Sequence, residues 1–310
     1  MDYFTVTENT TIKQYEAYKS SLPSEIAVFL LIWNILLSIT ASLGNAVILV
    51  ALHKETTLHP PTKLLCRCLA ITDLCVGVVI HPVMVLFYSF SVTTVVSWKM
   101  FHYVDMLRRS LSFVLCQVSI LTSCAISVDR LLALLSGLRY RHVVTLPRIR
   151  AIITCFWLIG ILVASINLWS TGIAFTVCFV EVVFALTTSA FSYGKIFRKL
   201  RNQLQVHAVP QGLTNGRQSP LNIARYKRSV TSAISVQLAL FTCCIPYLVV
   251  RVMMFALYVK ITVNKFEVAV EITATVLYFN STLNTFLYCW RIRSVRQAAK
   301  DTIKQLTCCK

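Results

Sequence analysis

Apolar residues along this chain gather into seven runs, near Ile26–Leu52, Leu64–Phe90, Tyr103–Leu135, Ile149–Trp169, Thr171–Phe197, Val230–Tyr258 and Val268–Cys289. A hydrocarbon core roughly 30 Å thick is crossed by about 20 apolar residues in a helix, so each run predicts one transmembrane helix. The pattern therefore predicts an all-α membrane protein, a seven-transmembrane helical bundle over residues 26–289. Residues 1–25 would form an extracellular amino-terminal segment, and residues 290–310 a short amphipathic helix after the seventh helix, followed by a cytoplasmic tail. In Trp290–Leu306, Ile292, Val295 and Ile303 stand among basic residues, as in a helix lying along a membrane surface.

Composition agrees. Hydrophobic residues make up 56% of the 310 and charged residues 14%, with a mean hydropathy of +0.69, outside the range of ordinary soluble domains. A formal charge of +18 would suit a nucleic-acid binder, but its placement does not. The Lys and Arg residues cluster between the third and fourth runs, between the fifth and sixth, and after the seventh. Loops of that kind stay cytoplasmic. This predicts a multi-pass plasma-membrane protein with its amino terminus outside, its carboxyl terminus inside, and its basic excess facing anionic lipids rather than nucleic acid. The first residues lack a basic segment followed by a short apolar core, so the first helix is expected to serve as its own uncleaved signal.

Of the 12 cysteines, all but Cys308 and Cys309 fall in or beside the apolar runs, where they read as small packing groups, and no disulfide framework is expected. Cys308 and Cys309 are candidate palmitoylation sites. Asn9 opens a glycosylation sequon on the predicted outer side.

Polar side chains inside membrane helices are costly and usually face the bundle interior. Asn45, Asp73, Ser119, Asn280, Ser281 and Asn284 are of this kind. One carboxylate among hydroxyls and amides suits a small hard cation such as sodium, with Asp73 as the charged ligand. The same residues also suit an interhelical hydrogen-bond network with no ion. Either arrangement gives a buried element whose occupancy can differ between two bundle arrangements.

Gly44-Asn45, Leu69 with Asp73, Ser127-Val128-Asp129-Arg130-Leu131, Trp157, Tyr193, Cys243 to Pro246, and Asn284 with Tyr288 follow one another helix by helix. In that order they make the chain similar to the rhodopsin-like (class A) G-protein-coupled receptors, and the likeness spans nearly all of it. The resemblance implies a receptor that binds an extracellular ligand in the outer half of the bundle. It would activate a heterotrimeric G protein through Asp129 and Arg130, with Tyr193 and Tyr288 stabilising the open form and Asp73, Ser119 and Asn284 making the sodium site. It implies no cofactor beyond that ion. Thr302 and Thr307 are too few phosphoacceptors to predict strong arrestin recruitment.

The chain also departs from the family. Cys244 stands in place of a bulky tryptophan, Thr285 in place of a proline in the seventh helix, and Tyr226 where relatives place an acid opposite the arginine. A very short link around Leu168–Gly172, Asp105 at the usual disulfide position and Ala185 at the usual proline position resemble melanocortin receptors, and in part cannabinoid and lysophospholipid receptors. Asp105, Arg108, Arg109, Ser112, Phe113 and Cys116 share one helical face, which the resemblance turns toward the ligand cavity. Ser112 takes the place of the carboxylate that holds amine ligands. With Glu181, Cys244, Arg251 and Tyr278, these residues form the candidate ligand pocket. One reading has Arg109 and Arg251 grip an anionic or zwitterionic ligand, such as a lipid acid or small peptide. The other pairs Asp105 with Arg109 and lets Arg108 snorkel to the interface.

Other classes fit less well. No nucleophile–base pair or metal-ligand cluster suggests an enzyme. Tyr278 occupies the retinal-lysine place of an opsin, and no internal repeat suggests a transporter. The runner-up is a non-signalling seven-helix ligand-binding receptor of the decoy or atypical kind.

Overall fold

The computed structural model describes residues 22–56, 58–93, 97–208, 220–257, 264–291 and 296–297. Seven long helices follow one another. They are α1 (Ser24–Lys54), α2 (Pro60–Val92), α3 (Trp98–Ser136), α4 (Leu146–Trp169), α5 (Thr171–Ala208), α6 (Pro220–Leu257) and α7 (Asn264–Arg291). Several outrun their apolar runs because, past the lipid, basic residues continue the helix, as in Arg198–Ala208 of α5. Among the described residues, the first six are long and apolar enough to cross a membrane. Helix α7 carries Thr273, Thr275, Asn280, Ser281, Thr282, Asn284 and Thr285, which lower its average hydropathy, yet it packs against α6 and α1 and closes the ring.

Helix α3 is the central post, touching α2, α4, α5 and α6. Ser97 caps its start by accepting from the Lys99 amide. Gly137 ends it at φ 49°, a left-handed conformation that only glycine adopts freely. A short helix, Tyr140–Val143, then lies beside its end. The outward faces are apolar, with Leu158, Phe184 and Phe197 each more than half exposed, as a lipid-facing surface requires.

Helix α2 contains a π-helical bulge over Val76–Ile80, just before His81-Pro82. Proline lacks an amide proton and crowds the carbonyl four residues back, and a widened turn accommodates it. Ser38 of α1 donates to the Gly77 carbonyl at 2.8 Å. A Cβ on Gly77 would lie 2.7 Å from the Ser42 backbone nitrogen. Gly77→Ala should therefore force α1 and α2 apart, costing about 1–3 kcal/mol. A lower melting temperature of the purified protein would register it, and an unchanged one would show that the helices have room.

None of the nine cysteines from Cys66 to Cys244 is in a disulfide. Asn9, Cys308 and Cys309 lie outside the described residues, as does nearly all of the amphipathic stretch after α7.

Candidate functional site

At the end of the bundle where the basic loops emerge, Asp129 is buried and organises a polar cluster. The Arg130 guanidinium folds back onto the Asp129 carboxylate. Its Nη2 also donates to Thr62 Oγ1 at 2.6 Å. The Thr62 hydroxyl donates to Asp129 Oδ2 at 2.9 Å, and the Tyr140 phenol to Oδ1 at 2.6 Å. Burial, reinforced by the carboxylate, pushes the Tyr140 phenol up to about 12, so it remains a donor at physiological pH. His59, at the start of α2, packs its ring 5.0 Å from that of Tyr140, and burial holds its imidazole below the usual range. The arginine is thus tied to α2 and the short helix.

Nearby, Ser123 of α3 donates to Gln237 Oε1 of α6 at 2.7 Å, both side chains being buried. Tyr193 of α5 packs with Leu131, Leu134, Ile196 and Ile234. Tyr288 lies on α7, but its side chain is outside the described ones.

Midway along the bundle, Asn284 Nδ2 donates to Asp73 Oδ2 at 2.9 Å. Asn45 Nδ2 bridges the carbonyls of Ala41 at 2.9 Å and Ser281 at 3.1 Å, joining α1 to α7. Four buried oxygens here, Asn45 Oδ1, Asn280 Oδ1, Asn284 Oδ1 and Thr285 Oγ1, have no hydrogen-bond partner. One carboxylate with neutral oxygen acceptors fits a small hard cation of low charge. Ser119 is buried on α3, and among the described residues no side-chain hydrogen bond joins it to Asp73.

Toward the other end, a cavity of about 110 Å³ opens between α3, α5, α6 and α7. From α3 come Arg108, Arg109, Ser112, Phe113 and Cys116; from α6 come Cys244 and Arg251; from α7 comes Tyr278. Asp105 and Glu181 stand outside this lining. Asp105 grips both arginines, Arg108 at 2.6 Å and Arg109 at 2.9 Å. Arg108 does not snorkel. It turns inward, where its Nη1 reaches Glu271 Oε2 at 3.3 Å and its guanidinium sits 4.2 Å from the Phe87 ring centre. Tyr88 donates to the same Glu271 oxygen at 2.9 Å. Charge pairing and an aromatic face outweigh the pull toward water here. Tyr278 donates to Ser112 at 2.6 Å, and Ser112 to the Arg108 carbonyl at 2.6 Å. Arg251 donates through Nε to Tyr247 at 3.1 Å.

Residues 44–173 match the 7 transmembrane receptor (rhodopsin family) signature. Over that segment, about two fifths of its length, the chain is similar to the rhodopsin-family seven-transmembrane receptors. It is similar to the human 5-hydroxytryptamine receptor 1B, 27% identical over 154 residues, which cover 50% of this chain and 38% of that receptor. Human 5-hydroxytryptamine receptor 1E is 28% identical over 158 residues, 50% of this chain and 42% of its own length. Human melanocortin receptor 5 aligns more broadly, 24% identical over 281 residues, 88% of this chain and 82% of that receptor. The chain thus spans only about two fifths of the length of the serotonin receptors it matches. All three relatives are named as receptors, and among the described residues of this chain six helices are long and apolar enough to cross a membrane.

Several residues of these clusters escape a reading of the sequence. Thr62 and Tyr140 carry no motif, and only their proximity to Asp129 in space marks them. Glu271 is an acid within an apolar run, but its partner Arg108 lies 163 residues away. Gln237 gave a weak signal as a polar residue in an apolar run.

Proposed function

We propose that this protein is a plasma-membrane receptor that binds an extracellular ligand in the α3–α5–α6–α7 cavity and activates a heterotrimeric G protein through Asp129 and Arg130. Its amino terminus faces outward and its carboxyl terminus the cytosol. The observation that carries this reading is that one helix, α3, lines a cavity at one end and holds a tethered arginine at the other. In the arrangement described, Arg130 is engaged by Asp129 and Thr62, which supports a resting form. The Ser123–Gln237 bond supplies an α3–α6 tie where Tyr226 replaces the acid of relatives. Opening would separate α6 from α3, with Tyr193 and Tyr288 available to stabilise the open form. Sodium held by Asp73 among Asn45, Ser119, Asn280, Ser281 and Asn284 would favour the closed form by binding it better.

The ligand is an anion or zwitterion met by Arg109 and Arg251. Glycosylation at Asn9, palmitoylation at Cys308 or Cys309 and weak arrestin engagement complete the proposal. Asp129-Arg130, Tyr193 and Tyr288 argue against the alternative of a ligand-binding receptor that does not signal, while Cys244 and Thr285, in place of the family's tryptophan and proline, keep it open.

A cyclic AMP or calcium reporter in transfected cells separates the two. The receptor should give a signal above untransfected cells, and Arg130→Ala should remove it at unchanged surface level. A signal equal in the variant would refute the arginine switch, and none from either would favour the non-signalling form.

A further inference from the structure

The charges around the cavity do not cancel evenly. Arg108, Arg109 and Arg251 contribute to its wall, whereas Asp105, Glu181 and Glu271 stand outside the lining. Arg108 is neutralised by Asp105 and Glu271, and Arg109 shares Asp105. Arg251 has a phenol and an aromatic face, both from Tyr247, and no carboxylate partner among the described residues. Arg109 keeps a buried Nε–H with no partner. A guanidinium that Glu271 and Glu267 influence only at a distance, without a direct ion pair, and one spare donor therefore meet at the same cavity. An orphaned buried donor and an unpaired cation are both costly, and both are relieved by a single anionic headgroup. Arginine's planar fork suits carboxylate and phosphate alike.

Below that rim the wall changes character. Phe113, Phe175, Leu248, Val182 and Ile120 are apolar, and Cys244 leaves open the space that a larger side chain would fill. From Arg109 to Ile120 is eleven residues of helix, about 16 Å at 1.5 Å per residue. The depth calls for a tail and the walls call for an apolar one. With no carboxylate in the lining, an ammonium group has no counter-ion there.

Resting on the reading of this cavity as the ligand site, we propose that its ligand is an amphipathic mono-anion, with the headgroup on Arg251 and Arg109 and an unbranched or aromatic apolar tail directed toward Ile120 and Cys244. Amines, and peptides that depend on a positive charge, are disfavoured. The ligand class thereby differs from what the names of the serotonin-receptor relatives state for those proteins.

Binding to the purified full-length receptor tests this without any G protein, so its failure is separable from failure of the signalling reading. Thermal melting in lipid nanodiscs would be followed with decanoate, decyl phosphate, decanol, decylamine and acetate, since a ligand that prefers the folded state raises the melting temperature with concentration. Decanoate or decyl phosphate should stabilise the receptor, and the stronger of the two identifies the headgroup as carboxylate or phosphate. Decanol, decylamine and acetate should not. Arg251→Gln should weaken the anion response at least tenfold and Arg251→Lys less. Should Arg251→Gln fold poorly, Leu248→Trp, which fills the apolar channel, should abolish the decanoate shift and spare the fold. Stabilisation by decylamine equal to that by decanoate, or an anion response indifferent to both Arg251→Gln and Leu248→Trp, would overturn the proposal.

Discussion

Arg108→Ala should cost the protein about 3–5 kcal/mol and strip most of it from the cell surface, because it strands the buried Glu271 carboxylate in the bundle. Arg108 binds Asp105 on its own helix and Glu271 on α7, and lies over Phe87 of α2. Its side chain is 10% exposed and that of Glu271 only 2%, so water reaches neither well enough to replace the pairing. With the guanidinium gone, Glu271 keeps one strong donor, Tyr88. The coupled substitution Arg108→Met with Glu271→Gln removes both charges and should recover much of the surface level. Asp105 then retains Arg109. Surface labelling and melting of the purified variants would read both effects. Equal loss in the single and double variants would show that packing, rather than charge, holds these helices together.

Asp129→Asn should raise ligand-independent signalling. The carboxylate accepts from Thr62, Tyr140 and Arg130 together, and an amide of the same size keeps the shape but loses the charge and half the accepting capacity. If the closed form loses about 1.4 kcal/mol relative to the open one, the open-to-closed ratio rises about tenfold, and an open population near 1% becomes nearly 10%. Basal reporter output normalised to surface receptor would show the rise. Output at or below that of the unaltered receptor would mean that this cluster does not restrain Arg130.

The helices were legible because membrane thickness imposes one length and one chemistry on every span. Where a helix outruns the lipid, as α5 does to Ala208, that constraint lapses and the apolar run no longer marks the end. The polar centre was legible as a set of residue types: Asp73 and Asn284 meet, and Asn45 reaches α7 through the Ser281 carbonyl. The ion network was only half legible. Spacing put Asp105 within reach of both Arg108 and Arg109, but which arginine turns inward depends on the rotation of α3. That rotation is set by neighbours remote in sequence, Phe87 and Glu271. Local periodicity carries no record of such partners.

The extra residue at Val76–Ile80 also governs how this protein tolerates a change of length. Each residue turns an α-helix by about 100°, so the insertion sets the angular phase of everything beyond it. Removing one residue there would leave Asp73 in register while swinging Tyr88 round by more than a quarter of a turn, away from Glu271. A length change of one position in α2 would thus undo its polar tie to α7 while leaving the central acid where it is.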